Sequence, residues 1–227
     1  MKSSLLVLIV SALFSLSAFA IEQTDAFPAS DVLVKLTPAK SYVDVSHKGR
    51  TIRIMRNQNP ENLLEKPYTK TSRPCPPFCI QPIEMAPEIE NVGELELIEF
   101  LEQEVAQGQG LLVDVRMPRF YDLETIPGAI NIPFILLNSN IKEVLPMLGV
   151  SRSRDEWSYQ NAKSLLVFCN GPWCSQSGRA IEALLSVNYP IEKILYYRGG
   201  MQVWKLMGLS TISQQAFTSI RSQNQYR

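Results

Sequence analysis

The amino-acid sequence predicts an α/β layer fold with a parallel sheet, and two observations support this prediction. Apolar runs such as residues 165–168 are continuous rather than alternating, which is typical of strands that are buried on both faces. Along residues 92–211 these runs alternate with segments whose apolar residues have helical spacing. Strands that alternate with helices pair in parallel through right-handed crossovers, so the strands and helices should form separate layers.

The elements of this domain follow one another from residue 94. Ile98, Leu101 and Val105 have helical spacing, so a helix over residues 94–105 should open the domain, and glycines at 108–110 end it. Strands are then predicted at residues 111–116, 129–132, 165–168 and 191–197, helices at 136–148, 175–185 and 201–207, a loop at 117–133 and a polar stretch at 151–163. Residues 212–227 form a polar tail.

The amino terminus is predicted to be a secretory signal peptide. Lys2 precedes an apolar run over residues 5–16, and Ala18-Phe19-Ala20 has the small-x-small pattern of a cleavage site. An uncleaved anchor is the alternative, although the run is short for a bilayer span of about 20 residues. We therefore expect residues 1–20 to be removed and the mature chain to be periplasmic or secreted, without a membrane span.

Charge and histidine content exclude several function classes. Lys and Arg total 22 against 22 Asp and Glu, so no basic excess indicates a nucleic-acid partner. His47 is the single histidine, which excludes a multi-histidine metal cluster. The surrounding sequence resembles a hairpin turn, so we expect His47 to be a solvated turn residue.

Residues 21–91 form an extension ahead of the domain. Residues 42–45 and 51–54 alternate in polarity around Lys48-Gly49, which predicts a β-hairpin. Two strands alone are marginally stable in water, so the hairpin should pack on the main domain or on a partner. Residues 57–87 are rich in proline, asparagine and charge, which indicates an irregular connector.

Cys75 and Cys79 lie in this connector on either side of Pro76-Pro77-Phe78. Three roles remain open: a structural disulfide, a redox pair that reduces or resolves another cysteine, or soft ligands for a metal such as copper(I). The four cysteines allow three disulfide connectivities, and their spacing does not choose among them.

Cys169 ends the central apolar strand, and helical spacing begins at Ser175. The loop between them joins the carboxyl end of a strand to the amino end of a helix, where open α/β sheets bind ligands. Unpaired N–H groups and the helix dipole favour negative charge there, which should lower the pKa of Cys169 and make it a reactive thiolate. The alternative is a buried cysteine that merely ends a core strand.

Four segments in this order resemble the rhodanese family of sulfurtransferases. They are LLVDVR (111–116), IPGAINIP (126–133), LLVFC with its loop (165–175) and YRGGMQVWKLMG (197–208). The resemblance implies a three-layer rhodanese-like fold over residues 92–211, with a five-stranded parallel sheet. It also implies that Cys169 is catalytic and carries sulfane sulfur as a persulfide, and that Asp114 and Arg116 pair at a strand end.

The loop after Cys169 would hold the persulfide. It consists of Asn170, Gly171, Pro172, Trp173, Cys174 and Ser175. Its backbone N–H groups would stabilise the charged sulfur, although Pro172 has none to donate. A small sulfur donor and a thiol acceptor are the implied partners, and we expect neither a cofactor nor a resident metal.

This loop departs from the family pattern because it contains no basic residue, which makes thiosulfate a doubtful donor. Arg179 and Arg198 could contact an anionic donor, or could be surface or ion-pair residues. Cys174 could attack the Cys169 persulfide and leave a disulfide, or could simply pack within the loop. Ser175 occupies the position where phosphatases of this fold carry the arginine that clamps phosphate, so phosphatase activity is not expected.

The sequence therefore favours a periplasmic rhodanese-like sulfurtransferase, or sulfane-sulfur carrier, that acts through Cys169. A second hypothesis is a thiol–disulfide redox or metal-handling protein in which Cys75 and Cys79 act and the domain is a scaffold. A third is a binding module that uses the amino-terminal hairpin for docking. A periplasmic redox or sulfur-relay protein is a further candidate partner.

Overall fold

A computed structural model of the chain describes residues 32–154 and 156–215. The predicted signal peptide, the start of the extension and residues 216–227 of the polar tail lie outside the described residues. In the part of the chain that is described, no helix is both long and apolar enough to cross a membrane.

The helices and strands occur in the order that the sequence predicts. The strands are β1 (Tyr42–His47), β2 (Arg50–Met55), β3 (Glu90–Asn91), β4 (Gly110–Asp114), β5 (Ile130–Asn131), β6 (Ser151–Ser153), β7 (Glu156–Ser158), β8 (Ser164–Phe168) and β9 (Ile194–Tyr197). The α-helices are α1 (Glu94–Phe100), α2 (Pro118–Leu123), α3 (Phe134–Val144), α4 (Gln176–Ser186) and α5 (Gly200–Leu206). A π-helical turn (Leu101–Val105) extends α1, and 3₁₀ turns follow α3 (Leu145–Leu148) and precede β9 (Ile191–Lys193).

Five of the described strands form one parallel sheet in the order β3-β9-β8-β4-β5. The central strand β8 pairs with β4 on one side and with β9 on the other, so that Phe168 lies opposite both Asp114 and Tyr197. Cys169 therefore leaves the sheet at the middle of its carboxyl edge. The predicted α/β fold with a five-stranded parallel sheet is confirmed.

Both faces of β8 are buried, which explains its continuous apolar sequence. Leu165 and Val167 pack in one core with residues of α3 and α4, whereas Leu166 and Phe168 pack in a second core with residues of α1 and α5. Each of these four side chains is at most 1% exposed. Successive residues of a strand point to opposite faces, so a strand covered on both sides needs an apolar residue at every position.

Four short elements were missing from the sequence prediction. Strand β3 has only two residues, both exposed, at the edge of the sheet, so no apolar run marks it. Helix α2 lies within the predicted loop 117–133 and starts with Pro118, a residue that fits the first turn because its missing N–H has no intrahelical partner there. Strands β6 and β7 form a small hairpin in the stretch predicted to be merely polar.

The β1–β2 hairpin is confirmed, and it packs on the domain as expected. Its two-residue turn has positive φ at Lys48 (50°) and Gly49 (78°), the conformation that matches the twist of paired strands. Apolar side chains of the hairpin, including Val43 and Ile54, join the core that contains α1 and α5.

The prediction that His47 is solvated was wrong. His47 is the last residue of β1 rather than part of the turn, and it is 2% exposed. Its Nδ1 accepts a hydrogen bond from the Gly128 N–H at 3.0 Å, and its Nε2 lies 3.0 Å from the side-chain nitrogen of Gln214. Burial lowers the pKa of His47 below 6.5, so the histidine ties the hairpin to the loop before β5 as a neutral group.

The pairing of Asp114 with Arg116 is confirmed. Both side chains are at most 1% exposed, and Arg116 donates from Nη2 to Asp114 Oδ2 at 2.7 Å and from Nε to Oδ1 at 2.9 Å. Thr125 Oγ1 donates to the same carboxylate at 2.8 Å. This buried network fixes the end of β4, next to the strand that carries Cys169.

Candidate functional site

The loop that follows Cys169 is held in place by the amino end of α5. Met201 N–H donates to the Cys169 carbonyl at 3.0 Å, and Gln202 N–H donates to that of Asn170 at 2.9 Å. Gly200 makes this close approach possible, because a Cβ at that position would lie 2.4 Å from the Cys169 carbonyl oxygen. Its φ of 54° also favours glycine. The loop therefore has a defined shape, set by a glycine on a different element.

The Cys169 thiol lies inside this loop and is 2% exposed. It donates to the carbonyl oxygen of Cys174 at 3.3 Å and also interacts with the Cys174 thiol. Burial raises the pKa of Cys169 well above its usual value, although the Ser177 side chain and N–H act in the opposite direction. The prediction that the pKa of Cys169 is lowered was therefore wrong, because the sulfur is buried and faces a carbonyl oxygen.

Cys174 carries the more acidic thiol of the pair. Hydrogen bonds from the Cys169 thiol, from the Asn170 and Gln176 N–H groups and from the Asn170 side chain lower the pKa of Cys174 to about 6, against the opposing effect of burial. Asn170 Nδ2 lies 3.6 Å from its sulfur. The sequence contained one signal of this lowered pKa, since Cys174 lies just before the first turn of α4. The N–H groups of a first helical turn have no intrahelical partners and can stabilise a thiolate.

Ser177 is a site residue that sequence reasoning missed. It is completely buried in the first turn of α4, and both its side chain and its N–H act to lower the pKa of Cys169. Its Oγ has no hydrogen-bond partner among the described residues. A buried hydroxyl without such a partner, next to a thiol, is suited to stabilise negative charge on that sulfur.

The carboxyl-terminal part of the connector lies over the loop. We name residues 73–81 the cover. A disulfide joins Cys75 to Cys79, which fits both a structural disulfide and the oxidised form of a redox pair. The Phe78 ring packs edge-on against Trp173 with centroids 5.6 Å apart, and Gln81 N–H donates to the Pro172 carbonyl at 2.8 Å. The irregular connector therefore closes the cysteine loop from outside.

Arg73 is the second residue that sequence reasoning missed. Its guanidinium lies 3.7 Å from the centre of the Trp173 ring, which places a positive charge on the rim of a loop that has none of its own. Trp173 lies between the rest of the loop and the cover, and its indole N–H donates to the Gln202 side chain.

Comparison with known proteins identifies the fold family. Residues 96–207 match the family model of the rhodanese-like domain. The chain contains a rhodanese-like domain. No curated protein sequence matches the chain significantly.

Several solved structures are similar to the domain. The BH2092 protein from Bacillus halodurans has 19% identity, with 55% of this chain and 77% of that chain covered, and a TM-score of 0.43. A rhodanese from E. coli with bound anions has 27% identity, with 46% and 98% covered and a TM-score of 0.30. A rhodanese-related protein from Thermoplasma volcanium has 21% identity, with 54% and 97% covered and a TM-score of 0.36.

The side chains of Arg179 and Arg198, the two candidate anion contacts, are engaged with other residues. Arg179 lies over the Phe134 ring, 4.8 Å from its centre. Arg198 donates from Nε and Nη2 to the Gln81 carbonyl at 3.0 and 2.8 Å, which fastens the cover to the domain. Arg198 therefore holds the cover to the domain, and Arg73 places its guanidinium on the Trp173 ring of the loop.

Proposed function

We propose that this protein is a sulfurtransferase-like carrier that takes a sulfane sulfur onto Cys169 of its rhodanese domain. The observation that carries the proposal is the position of the Cys169 sulfur. It lies at the carboxyl end of the central strand, beside the Ser177 hydroxyl and N–H at the start of α4. These two donors would stabilise the negative charge of a thiolate and of a terminal persulfide sulfur. The rhodanese-like family match supports the same reaction class.

The two thiols supply the proton transfer that the reaction needs. Near neutral pH the pair holds one proton, on Cys169, because burial raises the pKa of Cys169 while that of Cys174 is about 6. Transfer of this proton to Cys174 makes Cys169 the nucleophile. Its thiolate attacks the sulfane sulfur of a donor, the donor's leaving group departs with the electrons of the broken bond, and Cys169 holds the sulfur as a persulfide.

The closed loop restricts what reaches Cys169. With the thiol 2% exposed and the cover in contact with Trp173 and Pro172, a donor must be small or must displace the cover. Arg73 at the rim favours an anionic donor. A thiol acceptor, or a sulfur-relay protein that carries one, would then remove the outer sulfur. The predicted signal peptide supports a periplasmic place for this exchange.

Exposure of the reduced mature protein to thiosulfate or inorganic polysulfide, followed by peptide mass mapping, tests the proposal. The Cys169 peptide should gain one sulfur atom in Cys174→Ser, which lacks the neighbouring thiol, and should gain none in Cys169→Ser. Adding Cys75→Ser/Cys79→Ser to Cys174→Ser is the matched control, because it removes the two thiols of the cover and should leave the gain of sulfur at Cys169 unchanged. Absence of any sulfur adduct at Cys169 in fully reduced Cys174→Ser overturns the proposal.

A second candidate is a thiol–disulfide protein that acts through Cys75 and Cys79. The observation that favours it is the position of their disulfide, within a cover that contacts the cysteine loop through Phe78. While the two sulfurs are bonded to each other neither is a thiolate ligand, so metal handling would first require their reduction. This candidate predicts that Cys75→Ser abolishes function and that Cys169→Ser does not.

A further inference from the structure

The rhodanese domain holds two free thiols within one short loop. Cys169 and Cys174 are both reduced and are 2% and 4% exposed. The intervening chain folds back on itself, because Cys174 N–H donates to the Gly171 carbonyl at 2.9 Å. As a result the Cys169 sulfur lies 3.3 Å from the Cys174 carbonyl oxygen and interacts with the Cys174 thiol. The carrier reaction above uses Cys174 only as a proton acceptor.

We propose that Cys174 resolves the Cys169 persulfide and releases the carried sulfur as hydrogen sulfide. This inference rests on the proposed function, since it needs the persulfide to form first. The Cys174 sulfur attacks the inner sulfur of the persulfide, and a Cys169–Cys174 bond forms as the bond to the outer sulfur breaks. The outer sulfur leaves as HS⁻ with that electron pair and with the proton that came from Cys169.

The electrons of this step balance within the protein. The sulfane sulfur is reduced to sulfide, and the two cysteine sulfurs are oxidised to a disulfide. A new cycle requires a dithiol reductant to return Cys169 and Cys174 to thiols. The domain would therefore couple sulfur uptake to the consumption of reducing equivalents, which distinguishes it from a carrier that passes intact sulfane sulfur to an acceptor.

Accessibility favours this internal acceptor over an external thiol. A persulfide on Cys169 would form behind the cover, where an incoming protein or peptide thiol must displace Phe78 and Arg73 from the Trp173 ring. The Cys174 sulfur is already inside, and the Asn170 side-chain amide lies 3.6 Å from it. Only a small product has to leave, and hydrosulfide is small.

A single-turnover experiment tests the inference. The mature protein is reduced, freed of reductant without oxygen, and treated with one equivalent of benzenethiosulfonate, whose leaving group is a sulfinate and not sulfide. The wild type should release about one sulfide per protein and yield a Cys169–Cys174 cross-linked peptide. Cys174→Ser should keep the sulfur on Cys169 and release sulfide only after dithiothreitol is added.

Two further variants make the result decisive. Cys174→Ala gives a second test should the serine hydroxyl disturb the buried position, and Cys75→Ser/Cys79→Ser should release sulfide as the wild type does. A wild type that keeps its persulfide as Cys174→Ser does overturns the inference and leaves the proposed function standing. A Cys169 that gains no sulfur in any variant overturns the proposed function, and the inference with it.

Discussion

Removing Phe78 from the cover should make the two buried thiols react faster. Phe78 is 42% exposed, so it holds the cover over the cysteine loop mainly through its edge-on contact with Trp173, whose ring centre lies 5.6 Å from that of Phe78. Contacts of this kind contribute about 0.5–1.5 kcal/mol beyond area burial. Loss of about 1 kcal/mol raises the open fraction roughly fivefold, since 1.4 kcal/mol corresponds to a factor of ten.

The assay is alkylation by iodoacetamide at fixed pH, with peptide mapping of Cys169 and Cys174. When opening and closing are fast relative to alkylation, the rate follows the open fraction, so Phe78→Ala should react about fivefold faster than the wild type. Ile80→Ala is the matched control, because Ile80 lies in the same segment and is 83% exposed. Its rate should equal that of the wild type.

Arg73 provides a second perturbation of the same ring. The Arg73→Ala change removes a cation–π contact of about 0.5–1 kcal/mol, so it should accelerate alkylation by roughly twofold to fivefold. The two changes should not add simply, because both act on Trp173. If Phe78→Ala reacts no faster than Ile80→Ala, the cover does not limit access to the thiols.

Three other predictions concern the surroundings of the site. Asp114→Asn leaves the buried Arg116 charge without its partner, so it should lower the free energy of unfolding by about 3–5 kcal/mol in urea titrations. The control Asp44→Asn breaks a partly exposed pair with Arg53 and should lower it by less than about 1 kcal/mol. Equal losses would contradict the stabilising role assigned to the buried pair. Gly200→Ala brings a Cβ to 2.4 Å from the Cys169 carbonyl oxygen, so it should lower both the melting temperature and the uptake of sulfur by Cys169. Gly49 also has positive φ but meets open space, so the control Gly49→Ala should leave sulfur uptake unchanged. Sulfur uptake at wild-type level in Gly200→Ala would refute this account of the loop. The alkylation rate of Cys174 should fall as the pH drops through about 6, because the Cys174 thiolate is then protonated. In Cys169→Ala the midpoint of this pH profile should move upward, because the hydrogen bond that contributes most to the lowered pKa of Cys174 is gone. An unchanged midpoint would show that the Cys169 thiol does not set the pKa of Cys174.

The sequence predicted those strands and helices whose burial imposes a local pattern of apolar residues. A strand covered on both faces is apolar at every position, so β8 and β4 were visible in the sequence. The change to helical spacing at Ser175 located the loop between β8 and α4. The edge strand β3 is exposed and two residues long. Its pairing with β9 depends on neighbours that no local pattern contains, and for this reason the sequence did not show it.

The chemical state of the site was less predictable than its position. A turn from a strand to a helix favours a thiolate, and this loop does contain a cysteine with a lowered pKa. The sequence analysis expected that cysteine to be Cys169, but the fold buries Cys169 beside a carbonyl oxygen. Cys174, at the start of α4, has the amide contacts that the rule requires. A shift of five residues within one loop changes which sulfur is charged, because hydrogen bonds and desolvation act over a few ångströms.

By itself, the sequence determined the α/β fold, the rhodanese-like domain and the placement of Cys169 at the carboxyl edge of the sheet, since each depends on apolar spacing or on a short motif. The tertiary structure alone decided that the cover closes this site and that Arg73, Phe78 and Ser177 belong to it. The physical reason is that the cover has no periodicity of its own. Its position is set by the contacts of Phe78 and Arg73 with Trp173, between residues far apart in the chain.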